Sequence, residues 1–349
     1  MALATPALGA GFQLESPSEI YYGGARVADF QRAVHEQSDA VATIDASCVG
    51  TVGMNGEVLD PKGNPTRLRL SRAAFSDLCN FLNVPVAFIQ RLGVQDERVA
   101  MDVLESCVRH GFDGSNRHLV IDTRSNRVDG IVSANCYEPL SNRNALSYVL
   151  AAGRDLEVAE GWLAGPRMRV NAVAPQTHEA RKGDIVRVGV RADNSIAGDG
   201  AFLSAIYALR LVCTNGMTSV DAEQSIRIVH RAGIEDEVQR SVSRAFEATE
   251  PLPALMRAAA GRMLTTAADI SNMRKFIAEQ GGAKLEEAVL HVAMNEAELE
   301  GREPDEVSVW NFVNGLTAHA KTAPNLTRRA QIEDLGYRTL RRFAAPSVN

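Results

Sequence analysis

The chain has 349 residues, of which 45% are hydrophobic and 23% charged, values of a soluble globular protein with room for one large domain or two ordinary ones. Its net charge of −6 excludes a strongly basic nucleic-acid binder, though not a local basic patch on an acidic body. Cys48, Cys79, Cys107, Cys136 and Cys213 form no C-x-x-C pair and the histidines no H-x-x-x-H, so a disulfide framework, a zinc site and a cofactor are not expected.

Residues 1–29 carry Pro6, Pro17 and several glycines with little periodicity, and are expected to form a flexible arm. The apolar start lacks a basic n-region, and no stretch approaches the roughly 18 to 20 apolar residues that span a bilayer. A cytoplasmic protein without a membrane partner is therefore expected. Ser71 caps a predicted helix on which Phe75, Leu78 and Phe81/Leu82 share a face. Pro85 opens a short helix to Leu92, and Glu97 to Arg109 reads as a third.

The period then changes to two. His118–Asp122 and Arg127–Val132 predict strands joined as a hairpin, and Asn142–Ala152 a helix ending at Gly153. Met168–Val173 and Asp184–Arg191 alternate apolar and polar residues, with Ile185, Arg187, Gly189 and Arg191 on one face and Val186, Val188 and Val190 on the other. For Phe202–Val212 the Ala and Leu content favours helix, but the Gly-rich entry and Asn-Gly exit favour strand. From Gly233 the pattern is helical: Ile234, Val238, Val242 and Phe246 recur at four, followed by helices over Ala254–Ala278, Lys284–Leu299, Asp305–Ala320 and Thr327–Phe343. The expected fold is α+β: a mainly antiparallel sheet with flanking helices over residues 30–230, then a C-terminal α-helical region over 231–349.

Phosphate-binding loops, G-x-S-x-G and kinase signatures are missing. Asp122 and Asp129 flank the hairpin, but two carboxylates without further ligands make a poor metal site, and no catalytic residue is assigned. The basic residues say more. Between residues 117 and 191 there are 11 basic and 8 acidic residues, a segment of +3 in a chain of −6. Arginine suits phosphate because its guanidinium forks onto two oxygens. Arg187 and Arg191 share one strand face, and Arg167 and Arg169 a face of a neighbouring strand. With Arg124 and Arg127 of the hairpin, they are the expected nucleic-acid-binding stripe. A second cluster, Arg328, Arg329, Arg338, Arg341 and Arg342, lies on the last helix. Tyr137, Trp162 and Tyr207 are the aromatics placed to stack bases, with core packing the alternative.

Two runs stand apart: Asp193-Asn194-Ser195 leading to Gly198-Asp199-Gly200, and Arg210-Leu211-Val212-Cys213-Thr214-Asn215-Gly216-Met217. Both are turn chemistry bracketing an apolar element. Cys213 and Asn215 mimic a catalytic pair, but no nearby His would activate the thiol. Together the runs resemble the signature of the phage/plasmid-like family known as domain of unknown function 932, with Asn194, Ser195, Arg210, Cys213, Asn215 and Gly216 as its motif residues. Ser71 to Leu92, Arg127 to Leu140 and Trp310 to Ala320 resemble further parts of it, over residues 30 to 340. The resemblance implies a phage or mobile-element protein in a bacterial cell or infected host. The order hairpin, helix, further strands is also similar to the β-β-α core of single-strand-annealing proteins. The leading expectation is a homo-oligomeric protein that binds, and anneals, single-stranded DNA. A structural or regulatory interaction protein of a mobile element, or an enzyme acting on nucleotides or nucleic acid, are the alternatives.

Overall fold

Residues 12–152, 155–211, 215–218, 225–303 and 306–344 are described by a computed structural model of the chain. Much of the expected arm is ordered: Glu19–Gly23 is a strand (β1) and Val27–Asp39 a helix (α1) that buries Phe30, Val34 and Gln37. These lie at i, i+4 and i+7, a helical stripe that follows directly on the proline- and glycine-bearing segment.

The chain then builds a first lobe. Its strands are β2 (Val41–Asp45), β3 (Thr51–Val52), β4 (Glu57–Leu59) and β5 (Pro65–Leu70). Helices α2 (Arg72–Phe81), α3 (Val86–Gln95) and α4 (Glu97–Gly111) follow, then β6 (Arg117–Asp122) and β7 (Arg127–Ser133). Ser71 caps α2 as expected, its hydroxyl accepting from the Ala74 N–H at 3.1 Å. The six strands order as β2-β6-β7-β5-β4-β3, antiparallel except for the parallel β5–β7 pair. Leu68, Leu70, Leu119 and Val128 pack from this sheet onto Phe75 and Leu78 of α2 and Leu104 of α4.

The second lobe holds α5 (Asn142–Ala152), β8 (Glu157–Ala164), β9 (Arg167–Arg181), β10 (Asp184–Ser195), β11 (Phe202–Arg210), β12 (Asn215–Thr218) and β13 (Ser225–Ile228). All its strands are antiparallel in the order β1-β8-β9-β10-β11-β12, with β13 also on β11. Phe202–Arg210 is thus a strand, and the β9–β10 hairpin is far longer than the sequence pattern shows. Helices α6 (Glu235–Glu247), α7 (Leu252–Gly261), α8 (Ala267–Gly281), α9 (Ala283–Leu299), α10 (Val309–Ala320) and α11 (Leu326–Ala344) form the C-terminal helical region. The single helix expected over 254–278 is two, because Met263 bridges to Ser308 and Thr266 starts a new helix by accepting from the Asp269 N–H at 3.1 Å.

One part of the large sheet (Val170, Ala172, Val190, Phe202) packs with Phe30, Leu146 and Val242 of α1, α5 and α6. Another (Val186, Val188, Ile206, Met217) packs with Met256, Phe312 and Leu335 of the later helices. The β6–β7 hairpin and strands β8–β11 therefore belong to different sheets, and α5 packs on the second; the likeness to a single β-β-α core ends there. The lobes meet where Gly130 of β7 lies against Ala197, so close that a Cβ on Gly130 would collide with the Ala197 carbonyl. Val120, Val132, Ile196 and Ala197 form a small apolar cluster at this seam. No helix among the described residues is long and apolar enough to cross a membrane.

Candidate nucleic-acid interface

The arginines expected to form a stripe on β9 and β10 do alternate with the buried valines, but α11 lies over that polar row. Arg191 is 1% exposed; its guanidinium is 2.8 Å from Asp193 and 3.7 Å from Glu333 of α11. Arg169 pairs with the same Asp193 at 2.6 Å and donates to the Leu326 carbonyl. Burial alone would raise the Asp193 carboxyl; the two guanidiniums overcome it and hold the group well below the usual carboxylate range. Glu333 goes the other way, its burial outweighing Arg329 and Arg191. Arg329 closes the network, 2.9 Å from Glu160 of β8 and stacked 4.7 Å over the Trp162 ring. These charges are paired inside the protein, where they fix α11 on the sheet. Arg187 is spent locally on the Ala174 carbonyl (2.6 Å) and Glu157 (2.8 Å), and Arg167 on Asp199 (2.8 Å).

The remaining candidates are engaged within the protein or, as with Arg341 and Arg342, exposed at the far end of α11. Trp162 and Tyr207 are buried, and the partly buried Tyr137 stacks on His230 and donates its hydroxyl to the Ile196 carbonyl at 2.9 Å. On α11, Arg338 pairs with Asp334 and Arg342 lies over Phe276.

The motif residues are positioning groups. The Asn194 amide donates to the Leu140 carbonyl (2.9 Å) and to Asn142 (2.7 Å), tying the end of β10 to the start of α5. The Ser195 hydroxyl donates to Asp199 across the turn. Arg210 reaches Asp184 at 2.6 Å and Glu296 of α9 at 2.7 Å, joining sheet to helical region. Asn215 pairs with Arg210 in the β11–β12 ladder. Gly216 is required because a Cβ there would strike the buried Tyr207 ring. Cys213 lies outside the described residues.

A more open arrangement sits on the first lobe. The run Thr66-Arg67-Leu68-Arg69-Leu70 buries its leucines and exposes both arginines, and Arg72 at the start of α2 is exposed too. Between the pairs Glu57↔Arg69 and Leu59↔Pro65, β5 carries two more residues than β4. Arg67 takes a φ of 69° in this bulge, the kind of irregularity that re-aims a side chain. Among the described residues, none of the three guanidiniums has a carboxylate within ion-pair distance, although Glu57 lies opposite Arg69 in the ladder. Arg69 is in parallel register with Arg127, which brings this row to the hairpin. There Arg127 bonds Asp129 at 2.6 Å and lies 3.9 Å from Asp122, while exposed Arg124 is 3.5 Å from Asp122. Asp122 and Asp129 do converge, but on a guanidinium, and no cluster among the described residues is arranged to hold a metal ion.

Beside Arg124 and Arg127 a cleft of about 350 Å³ opens between the lobes, walled by β1, α1 and β8 on one side and β2, β6 and β7 on the other. Arg67, Arg69 and Arg72 lie outside the basic segment 117–191, yet their signal is visible: an Arg-Leu alternation of period two running into a helix cap.

The two sheets, the interlobe cleft and the arginine-bearing strand β5 define an α+β protein with a helical region fastened to its larger sheet by buried ion pairs. The chain belongs to the family described as Domain of unknown function (DUF932), which matches residues 130–341. The matched span takes in the Asn194 and Arg210 runs and α10; Ser71 to Leu92 and most of the first lobe precede it. No curated protein and no solved structure matches the chain.

Proposed function

We propose that the protein binds single-stranded DNA with little sequence preference, through phosphate contacts to Arg67, Arg69 and Arg72 and to Arg124 at the hairpin tip. The carrying observation is that three arginines stand exposed beside one another without a carboxylate partner, while those of β9 and β10 are consumed internally. Arg67 and Arg69 are two residues apart and both exposed, close enough to meet neighbouring phosphates of one strand. The surface is the solvent-facing side of a short bulged strand running into the start of α2, which suits an extended single strand. Binding would release counterions from the phosphates and leave bases accessible to a complementary strand. That role fits the phage or mobile-element setting that the family resemblance implies.

Fluorescence anisotropy of a labelled oligonucleotide, titrated at low and moderate salt, tests this. Wild type is expected to saturate and to weaken steeply with salt. The triple variant Arg67→Ala, Arg69→Ala, Arg72→Ala should bind at least about tenfold more weakly. Its log–log salt slope should be shallower by about 2, at roughly 0.7 for each phosphate no longer neutralised. No binding at low salt, or a triple variant that behaves as wild type, overturns the proposal.

A further inference from the structure

The interlobe cleft is not needed to hold phosphates, and its lining has a different chemistry. Tyr22 and Leu163 present buried apolar surface on the β1–β8 side, with Ile20 beside them, and Val41 faces them from the first lobe. The first-lobe rim carries the Asp122 carboxylate and the Arg124 guanidinium, and the opposite wall the exposed Glu36 of α1. Asp122 accepts the Arg124 N–H on one oxygen, and its other oxygen is 3.9 Å from Arg127, leaving acceptor capacity on a carboxylate with about four lone-pair sites. The volume of about 350 Å³ falls in the range of small-ligand clefts, and a junction between lobes is where such clefts recur.

A ligand that fits has apolar faces, a hydrogen-bond donor on one edge, and an anionic group left at the mouth. That is the description of a nucleotide. We propose that the cleft takes one unstacked base of the bound strand, its amino edge toward Asp122 and its phosphate on Arg124; this rests on the phosphate-binding reading above. The geometry is continuous with that reading, because Arg69 is registered beside Arg127, so a backbone passing along β5 arrives at the cleft mouth. Carboxylates accept from the exocyclic amino group of cytosine, so an amino-bearing base is the favoured occupant. Asp129 and Gln37, which also line the cleft, are already engaged with Arg127 and Asn142 and serve to shape it.

The test compares a labelled oligo(dC) with an abasic strand of equal length, both titrated against the full chain by anisotropy at low salt. If a base enters, oligo(dC) binds about tenfold more tightly or better, since one base contact contributes roughly 1–3 kcal/mol. Ala33→Phe and Ser18→Phe fill the cleft from α1 and from its exposed mouth, and each is expected to bring oligo(dC) down toward the abasic affinity. Using two variants covers the case in which one fails to fold, which circular dichroism would reveal. Equal affinity of wild type for the two strands overturns the base pocket and leaves phosphate binding standing. A base-dependent gain that survives in either folded variant overturns it too. Failure of both strands to bind overturns both proposals together.

Discussion

Strand β5 and the β9–β10 hairpin both alternate arginine with apolar residues, yet they end in opposite electrical states. On β10, Arg191 is shut away beneath α11 and neutralised by Asp193 and Glu333. On β5, Arg67 and Arg69 stand exposed on the open face of a bulged strand. The difference is what lies on top. A guanidinium under a helix must find a carboxylate, because leaving a charge unpaired in a low-dielectric interior costs several kcal/mol; on an uncovered face water solvates it and it stays available. The number of basic residues in a segment therefore says little about binding until the cover over each is known.

The sharpest way to break this comparison is Arg191→Ala. Removing the fully buried guanidinium leaves Asp193 with Arg169 alone and Glu333 with Arg329 alone, and a loss of about 3 kcal/mol is expected in urea unfolding. A loss below about 1 kcal/mol would mean that the network adjusts easily, and the contrast with β5 would collapse.

A smaller effect is expected at the seam between the lobes, where burial, reinforced by Asp199, raises the Asp77 carboxyl to about 6. Because the folded form holds this proton more tightly than the unfolded chain, stability contributed here falls as pH rises from about 4 through 6. Asp77→Asn, whose amide oxygen still accepts the Ile131 N–H, should be more stable than wild type at pH 7, on the order of 2 kcal/mol, with no advantage near pH 4. Thermal unfolding across that window measures it; a pH-independent difference would show that ionisation is not the cause.

The smallest effects separate the two strands most cleanly. Arg69→Ala and Arg187→Ala are each expected to change stability by less than about 1 kcal/mol, the first being solvated and the second paired with the exposed Glu157. Only Arg69→Ala should weaken oligonucleotide binding, by a few-fold, with a slightly shallower salt slope. Equal losses would merge the two surfaces.

Much of the fold is visible along the chain. Ser71 with Phe75 and Leu78 announces α2, and Val186, Val188 and Val190 announce β10, because capping and periodicity are local properties. Helix α1 is also written in Phe30, Val34 and Gln37, but proline and glycine upstream obscure it. The candidate site was less accessible. Arg124 and Arg127 are hairpin residues in plain view, whereas Arg67 and Arg69 gain their meaning only from the parallel pairing of β5 with β7, a contact across more than fifty residues. Similarly, Arg210 and Gly216 look like ends of a turn, and their work is distant: one ties down α9, the other clears space for Tyr207.

By itself the sequence determined the class of most elements, the sheet-then-helix order of the second lobe and the family, since each depends on residues close together in the chain. The tertiary structure alone decided that there are two sheets, that the cleft lies between them, and which arginines face water. Those outcomes depend on which helix covers which strand, and the free energy of a charge is set by its cover rather than by its neighbours in sequence.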